Sequence, residues 1–383
     1  MLKSKRSDVS PFLVMEVLEE AQRIEKTGAD VVHLEVGEPD FDTPDCIKEA
    51  AEKAIRDGHT HYTHSLGLLE LREAICEDYH KRYGVQVDPD QVLVTSGTSP
   101  AIFLLYSVLL EAGEQVILSN PYYACYPNFI TFSDGVPVYV DVRESEGYQL
   151  QPEALREKVG ARTKAIMINS PSNPTGIVLS SEHMARIAEL GPTVVADEIY
   201  HGLVYEGKEH SILEYTDRAV VLNGFSKLYA MTGWRLGYII APRELIRAMQ
   251  KIAQNFFISA NAFVQQAGVA ALREAGPDAE RMRRIYAGRR LFMLEGLRGL
   301  GFDIPTPPTG AFYVLVNAQR YSTDSLSFAY DILRKAHVAV APGIDFGSNA
   351  EGYLRFSYAA STGRIAEGMD RLGRYLATLP VLR

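Results

Sequence analysis

Between residues 92 and 241 the chain carries seven short apolar runs. The runs are VLVT, QVILS, VPVYVDV, KAIMIN, TVVAD, AVVLN and LGYIIA. Most are continuously apolar rather than alternating. A strand needs that composition when both its faces are covered, the usual state of a largely parallel sheet between helices. Helical patterns fall between the runs. PAIFLLYSVLLEAG puts Pro100 at the expected first helical position and Gly113 at the stop. SSEHMARIAELG precedes the fifth run. The expectation is an α/β fold with a seven-stranded, mostly parallel sheet covered by helices.

Before this block, TPDCIKEAAEKAIRDG carries its own start at Thr43 and Pro44 and its own stop at Gly58. After it, GPDAERMRRIYAGRRLFMLEGLRGLG predicts one long or broken amphipathic helix. GAFYVLVN, AHVAVAPG and YLRFSYA, with a helix among them, predict a small α+β unit. The division expected is 1–46 as an N-terminal arm and part of a small domain, 47–281 as a large domain, and 282–383 as the rest of the small one. A chain of 383 residues with 46% hydrophobic and 23% charged residues can bury cores of that size.

A net charge of -9 repels phosphate backbones, so no nucleic-acid partner is expected. Cys46, Cys76 and Cys125 are too widely spaced for a disulfide framework or a thiolate metal site. The polar segment MLKSKRSDVSPF lacks the apolar stretch of an export signal, and no run of about 18 apolar residues occurs. A cytoplasmic location without membrane insertion is the expectation.

In an open parallel sheet, ligands gather beyond the carboxyl ends of the strands. Ser96-Gly97-Thr98-Ser99 leads from the first run into a helix whose free N–H groups suit an anion, although a capped strand-to-helix turn has the same composition. Asn173-Pro174-Thr175-Gly176 reads equally as a tight turn. Asp197 and Glu198 end an apolar strand, where a buried carboxylate implies a positive partner, although charged strand ends are also often simply solvated. Lys227 follows AVVLNGFS. Burial there would favour the neutral, nucleophilic amine, and Arg235 lies eight residues on. An anion cradle, an amide, a carboxylate near a phenol, and an amine with an arginine together match pyridoxal phosphate.

In this order NPTG, DEIY and SKLYAMTGWRLGY also resemble the fold type I, class I and II aminotransferases, within them the bacterial aspartate, alanine and aromatic subgroup. The likeness extends from LEVGEPDFDTP to YLRFSYAAS. It implies a Schiff base on Lys227, Asp197 paired with the ring nitrogen, and Asn173 and Tyr200 on the ring oxygen. Gly97, Thr98 and Arg235 would hold the phosphate, and Tyr123 would stack on the ring. Arg355, helped by Gly37, would grip the substrate carboxylate; Tyr123 and Asn173 would also face the substrate. Tyr62 would reach the cofactor phosphate of a partner subunit, which implies a homodimer with shared sites. Gly224 departs from the pattern, since many relatives have a serine there, so that this contact is either lost or replaced by Ser226 or water.

The activity so implied is ping-pong transfer of an amino group between an L-amino acid and a 2-oxo acid. A carbon-sulfur β-lyase of the same fold is the alternative, with the same lysine and aspartate. His59, His61 and His64 read as a polar loop shaping the substrate entrance, not as a metal site. Phe256, Phe257 and Phe263 read as core, Phe312 and Tyr313 as weak pocket candidates, and Cys125 as a small packed residue near the site.

Overall fold

The computed structural model describes residues 5–380; the outermost residues of the two terminal segments, 1–4 and 381–383, lie outside it. After a short strand β1 (Val32–His33), the seven runs become β2 (Val92–Thr95), β3 (Gln115–Asn120), β4 (Val136–Asp141), β5 (Thr163–Asn169), β6 (Thr193–Asp197), β7 (Val220–Gly224) and β8 (Gly237–Ile240). They form one sheet in the order β2-β8-β7-β6-β5-β3-β4. Only β8 runs antiparallel to its neighbours β2 and β7; the other pairs are parallel.

Successive residues of the central strands serve two different cores. Val194 and Ala196 face one side with Ile166, Ile168 and Val221. Val195 faces the other with Met167, Val220 and Leu222. This two-sided demand explains why the runs do not alternate. VPVYVDV differs because it is the edge strand: Val136 and Tyr139 are exposed, and Pro137 is tolerated there.

The helix after β2 spans Thr98–Leu109. It begins two residues earlier than expected, so Pro100 falls at its third position, where a missing N–H is still harmless because no carbonyl stands a turn before it. The long amphipathic segment is one continuous helix, Gly276–Gly299.

The chain ends build the second, α+β part. β9 (Tyr313–Asn317), β10 (Val338–Ala339), β11 (Ala341–Pro342) and β12 (Tyr353–Ser357) follow the long helix. β12 pairs antiparallel with both β9 and β11, while β1 pairs parallel with β10. Leu34 from the front of the chain and Phe312, Val314, Phe356 and Leu372 from its end share one core. The Ser357 N–H donates to Leu34 O at 2.7 Å. This bond brings the segment after β1 against β12, and both face the carboxyl ends of β5, β6 and β7.

Candidate active site

A cavity of about 340 Å³ opens where these parts meet. Asp197, the last residue of β6, forms its floor, in register with Asn169 at the end of β5. The Asp197 carboxylate accepts the Tyr126 hydroxyl at 2.6 Å and the Ile199 N–H at 3.1 Å. Among the described residues no cation pairs with it directly. Burial therefore pushes its pKa up to about 6, against the pull of the Tyr126 hydrogen bond. Glu198 is buried as well; it accepts from Ser211 Oγ, Ile212 N and Tyr79 Oη. These donors are neutral, not the positive partner that the sequence leads one to expect; hydrogen bonds take its place.

Lys227 reaches the same cavity from the loop after β7, and its Nζ donates to Gly37 O at 2.7 Å. Burial brings the amine down to about 8; Arg355 and Arg235 add to this, while Glu38 and Asp197 oppose it. A Cβ on Gly37 would collide with the Tyr313 hydroxyl, so only glycine lets this carbonyl approach the amine.

At one end of the cavity, the helix Thr98–Leu109 begins without a side-chain cap. Gly97 holds φ +97°, and a Cβ there would lie 2.5 Å from an Arg235 guanidinium nitrogen. Arg235 itself has a positive φ of 56°, a strained geometry that aims its head at the helix N-terminus. Its Nη1 donates to Thr232 O at 3.0 Å. Uncapped N–H groups, a helix dipole and a guanidinium together form an anion cradle. Gly224 lies opposite Gly237 in the β7–β8 pairing. A Cβ at Gly224 would meet Leu236 O at 2.9 Å, so there is no room for a side chain there without a shift, and Ser226 lines the cavity nearby.

At the other end stands Arg355 of β12, only 2% exposed. Its guanidinium donates to Asn173 Oδ1 at 2.8 Å and to the Glu35 carbonyl. Tyr313 and Phe346 flank it, with ring centroids 4.3 and 4.7 Å from its Cζ. Among the described residues no carboxylate pairs with it, and its Nε has no hydrogen-bond partner. The Tyr200 and Tyr313 hydroxyls hydrogen-bond at 2.8 Å beside it. Tyr123 lines the wall between the two ends, edge-on to Tyr126 at 5.2 Å.

Thus Gly37, Thr98, Tyr123, Asn173, Asp197, Tyr200, Lys227, Arg235 and Arg355 converge, with Gly97 directly behind Arg235. Tyr62 does not join them; it is 80% exposed on the outside of the chain. Tyr126 had escaped notice in NPYYACYPNF because nothing in three nearby tyrosines tells which one turns inward. Phe12 and Met15 were missed too, lying in a segment far from any strand end. Tyr313 lines the cavity, whereas Phe312 is core behind it. Phe256 and Phe257 are exposed rather than core, while Phe263 is partly buried against the large core. His59, His61 and His64 are exposed, and no group of three metal-ligating side chains occurs among the described residues.

Residues 29–372 match the family described as aminotransferase class I and II. The chain belongs to that family. This aminotransferase is 41% identical over 98% of its length to the whole of a (5-formylfuran-3-yl)methyl phosphate transaminase from Methanocaldococcus jannaschii. It is 38% identical to an aspartate/prephenate aminotransferase from Thermus thermophilus, across 96% of this chain and 97% of that one. The solved structure of the aspartate aminotransferase from Thermus thermophilus with maleate superposes with a TM-score of 0.94 at 37% identity, covering 98% of this chain and 99% of the other. The enzyme is a pyridoxal-phosphate-dependent transaminase that moves an amino group between an amino acid and a 2-oxo acid. These relatives are all named transaminases, and none lends support to the β-lyase alternative. The cavity fits the cofactor on its own terms: an anion cradle, a buried amine and a buried carboxylate with no direct cation partner among the described residues lie around one space. No helix among the described residues is long and apolar enough to cross a membrane.

Proposed function

We propose that Lys227, Asp197 and Tyr200 carry the chemistry, and that Arg355 and the Gly37 loop hold the substrate. The observation carrying this reading is the buried Arg355 guanidinium with no carboxylate of the described chain upon it. Leaving a buried charge uncompensated costs about 3–5 kcal/mol, so such a site is built for an anion that arrives with the ligand. The α-carboxylate of an amino acid suits its planar fork.

Bound pyridoxal phosphate supplies an aldehyde that takes up the amino group and a ring that delocalises the electron pair left when the substrate α C–H bond breaks. Asp197 would keep a proton on the ring nitrogen through its charge, which the Tyr126 hydrogen bond helps to maintain. Asn173 and Tyr200 would hold the ring oxygen, Tyr123 would cover the ring, and Gly97, Thr98 and Arg235 would receive the phosphate. Lys227 Nζ would be the amine that holds the cofactor's aldehyde carbon and, when an amino acid has taken its place there, the base that accepts the substrate α-proton and gives it back. Ser226, at the cavity wall, replaces the hydroxyl that Gly224 lacks.

Two cores support a division into residues 47–281 and a second body made of 1–46 and 282–383. On the helix Gly276–Gly299, Ala279 packs into the large core and Met282 into the small one. Tyr62 supports a homodimer with shared sites. It belongs to an exposed apolar face with Phe256 (70% exposed), Phe257 and Ile258, joined by the Thr63 N–H donating to Ser259 Oγ at 3.3 Å. The three cysteines are free thiols, which supports a reducing cytoplasm.

The test is Lys227→Ala. Turnover should vanish while the far-ultraviolet circular dichroism is unchanged, and borohydride should fix a cofactor adduct at Lys227 in the parent protein only. Retained turnover, or an adduct elsewhere, would refute the assignment.

A further inference from the structure

Part of the cavity wall is apolar, with acidic groups behind it. Phe12 and Met15, at the entry to the helix Leu13–Glu25, line it with Val36 and Ile102. Phe12 stands edge-on to Tyr123, with centroids 5.9 Å apart. It also packs into the small cluster that holds Phe346, the ring against the Arg355 guanidinium. A substrate with its α-carboxylate on Arg355 and its amine toward Lys227 therefore has this shelf within reach of its side chain.

What would a second carboxylate find there? Three cations line the cavity, Lys227, Arg235 and Arg355, and each already has a task. The next attraction for an anion would be the N-terminus of the helix Leu13–Glu25. Asp345 already occupies it: its two oxygens accept the Leu13 and Val14 N–H groups at 3.0 and 3.1 Å. The dipole end is spent on a fixed negative charge. Of the charged residues lining the cavity, those left are Asp197 at the floor and Glu38 at the rim, both acidic. Glu38 is tied to the Thr232 hydroxyl. A distal carboxylate would thus lose water to apolar surface and face like charge.

We propose that Phe12 and Met15 form the side-chain subsite, and that it selects amino acids with large uncharged apolar or aromatic side chains over aspartate. The inference rests on the transamination reading of the cavity.

The holoenzyme is mixed with one amino acid at a time and no 2-oxo acid, and the cofactor absorbance is followed. Phenylalanine, leucine and methionine should exceed aspartate in kcat/KM by about tenfold or more. Phe12→Ala should lower the phenylalanine-to-alanine ratio about tenfold, and Met15→Arg should raise the aspartate-to-phenylalanine ratio by a similar factor. Titration with unreactive acids gives a readout free of turnover: 3-phenylpropanoate should bind more tightly than maleate. Aspartate ahead of phenylalanine, maleate ahead of 3-phenylpropanoate, or ratios unmoved in both variants would overturn the proposal. If no amino acid, alanine included, changes the spectrum, the transamination reading itself falls and this inference with it.

Discussion

Lys227 is held in a condition that an exposed lysine never reaches. Its amine sits near 8 because burial penalises the ammonium, with Glu38 and Asp197 pulling one way and Arg355 and Arg235 the other. The neutral amine is the form that attacks an aldehyde, so the rate at which cofactor-free protein captures pyridoxal phosphate should follow deprotonation of this one group. The expected profile rises with pH, has its midpoint near 8 and flattens above it. Stopped-flow absorbance between pH 6.5 and 9.5 measures it on the order of the window set by the shift. A rate constant flat across pH 8 would mean that another group or step governs capture. The same pocket keeps Asp197 at about 6, so at pH 8 the carboxylate is charged while half the amine is neutral, the combination the chemistry needs.

Elements differ in how much of them the sequence discloses. The central strands were legible because burial on both faces demands unbroken apolar runs, and the residues after them were legible because strand ends are where ligands gather. Strand order was not legible: pairing is a long-range matter, and nothing in LGYIIA distinguishes the antiparallel β8 from its parallel neighbours. The helix Leu13–Glu25 was also silent, since its contribution depends on a partner, Asp345, more than three hundred residues away. One contact shows how that helix is held. His33 at the end of β1 hydrogen-bonds to Glu25 on the helix at 3.1 Å and to the buried Glu35 at 2.7 Å. The Glu35 hydrogen bond, more than any other cause, raises the imidazole to about 9 against the effect of burial. A raised folded-state value means that the unfolded chain binds fewer protons, so this stabilisation is complete below about 6.5 and fades as pH climbs through about 9. The melting temperature of the native protein should exceed that of His33→Asn most clearly near pH 6, and the gap should narrow toward pH 9.5, on the scale of one perturbed group. A gap that stays constant would show that His33 acts by packing alone.

At the scale of the whole molecule, Tyr62 is exposed and does not line the cavity of its own chain. In the proposed two-fold dimer each surface patch would meet its symmetry mate, and Tyr62 would serve the site of the other subunit. Hybrid dimers test this sharing directly. One subunit carries Lys227→Ala with Tyr62 intact; the other carries Tyr62→Phe with Lys227 intact. If the partner's Tyr62 serves each site, the hybrid holds one site with both groups native, although neither parent homodimer has such a site. The Tyr62→Phe homodimer should bind pyridoxal phosphate about tenfold more weakly, the effect of one lost hydrogen bond to a charged group. The purified hybrid should then recover native affinity in one of its two sites, read by absorbance titration. If instead Tyr62 acts within its own subunit, the intact Lys227 site of the hybrid stays as weak as in the Tyr62→Phe parent. The apolar face would then be left to hold subunits together without completing their chemistry.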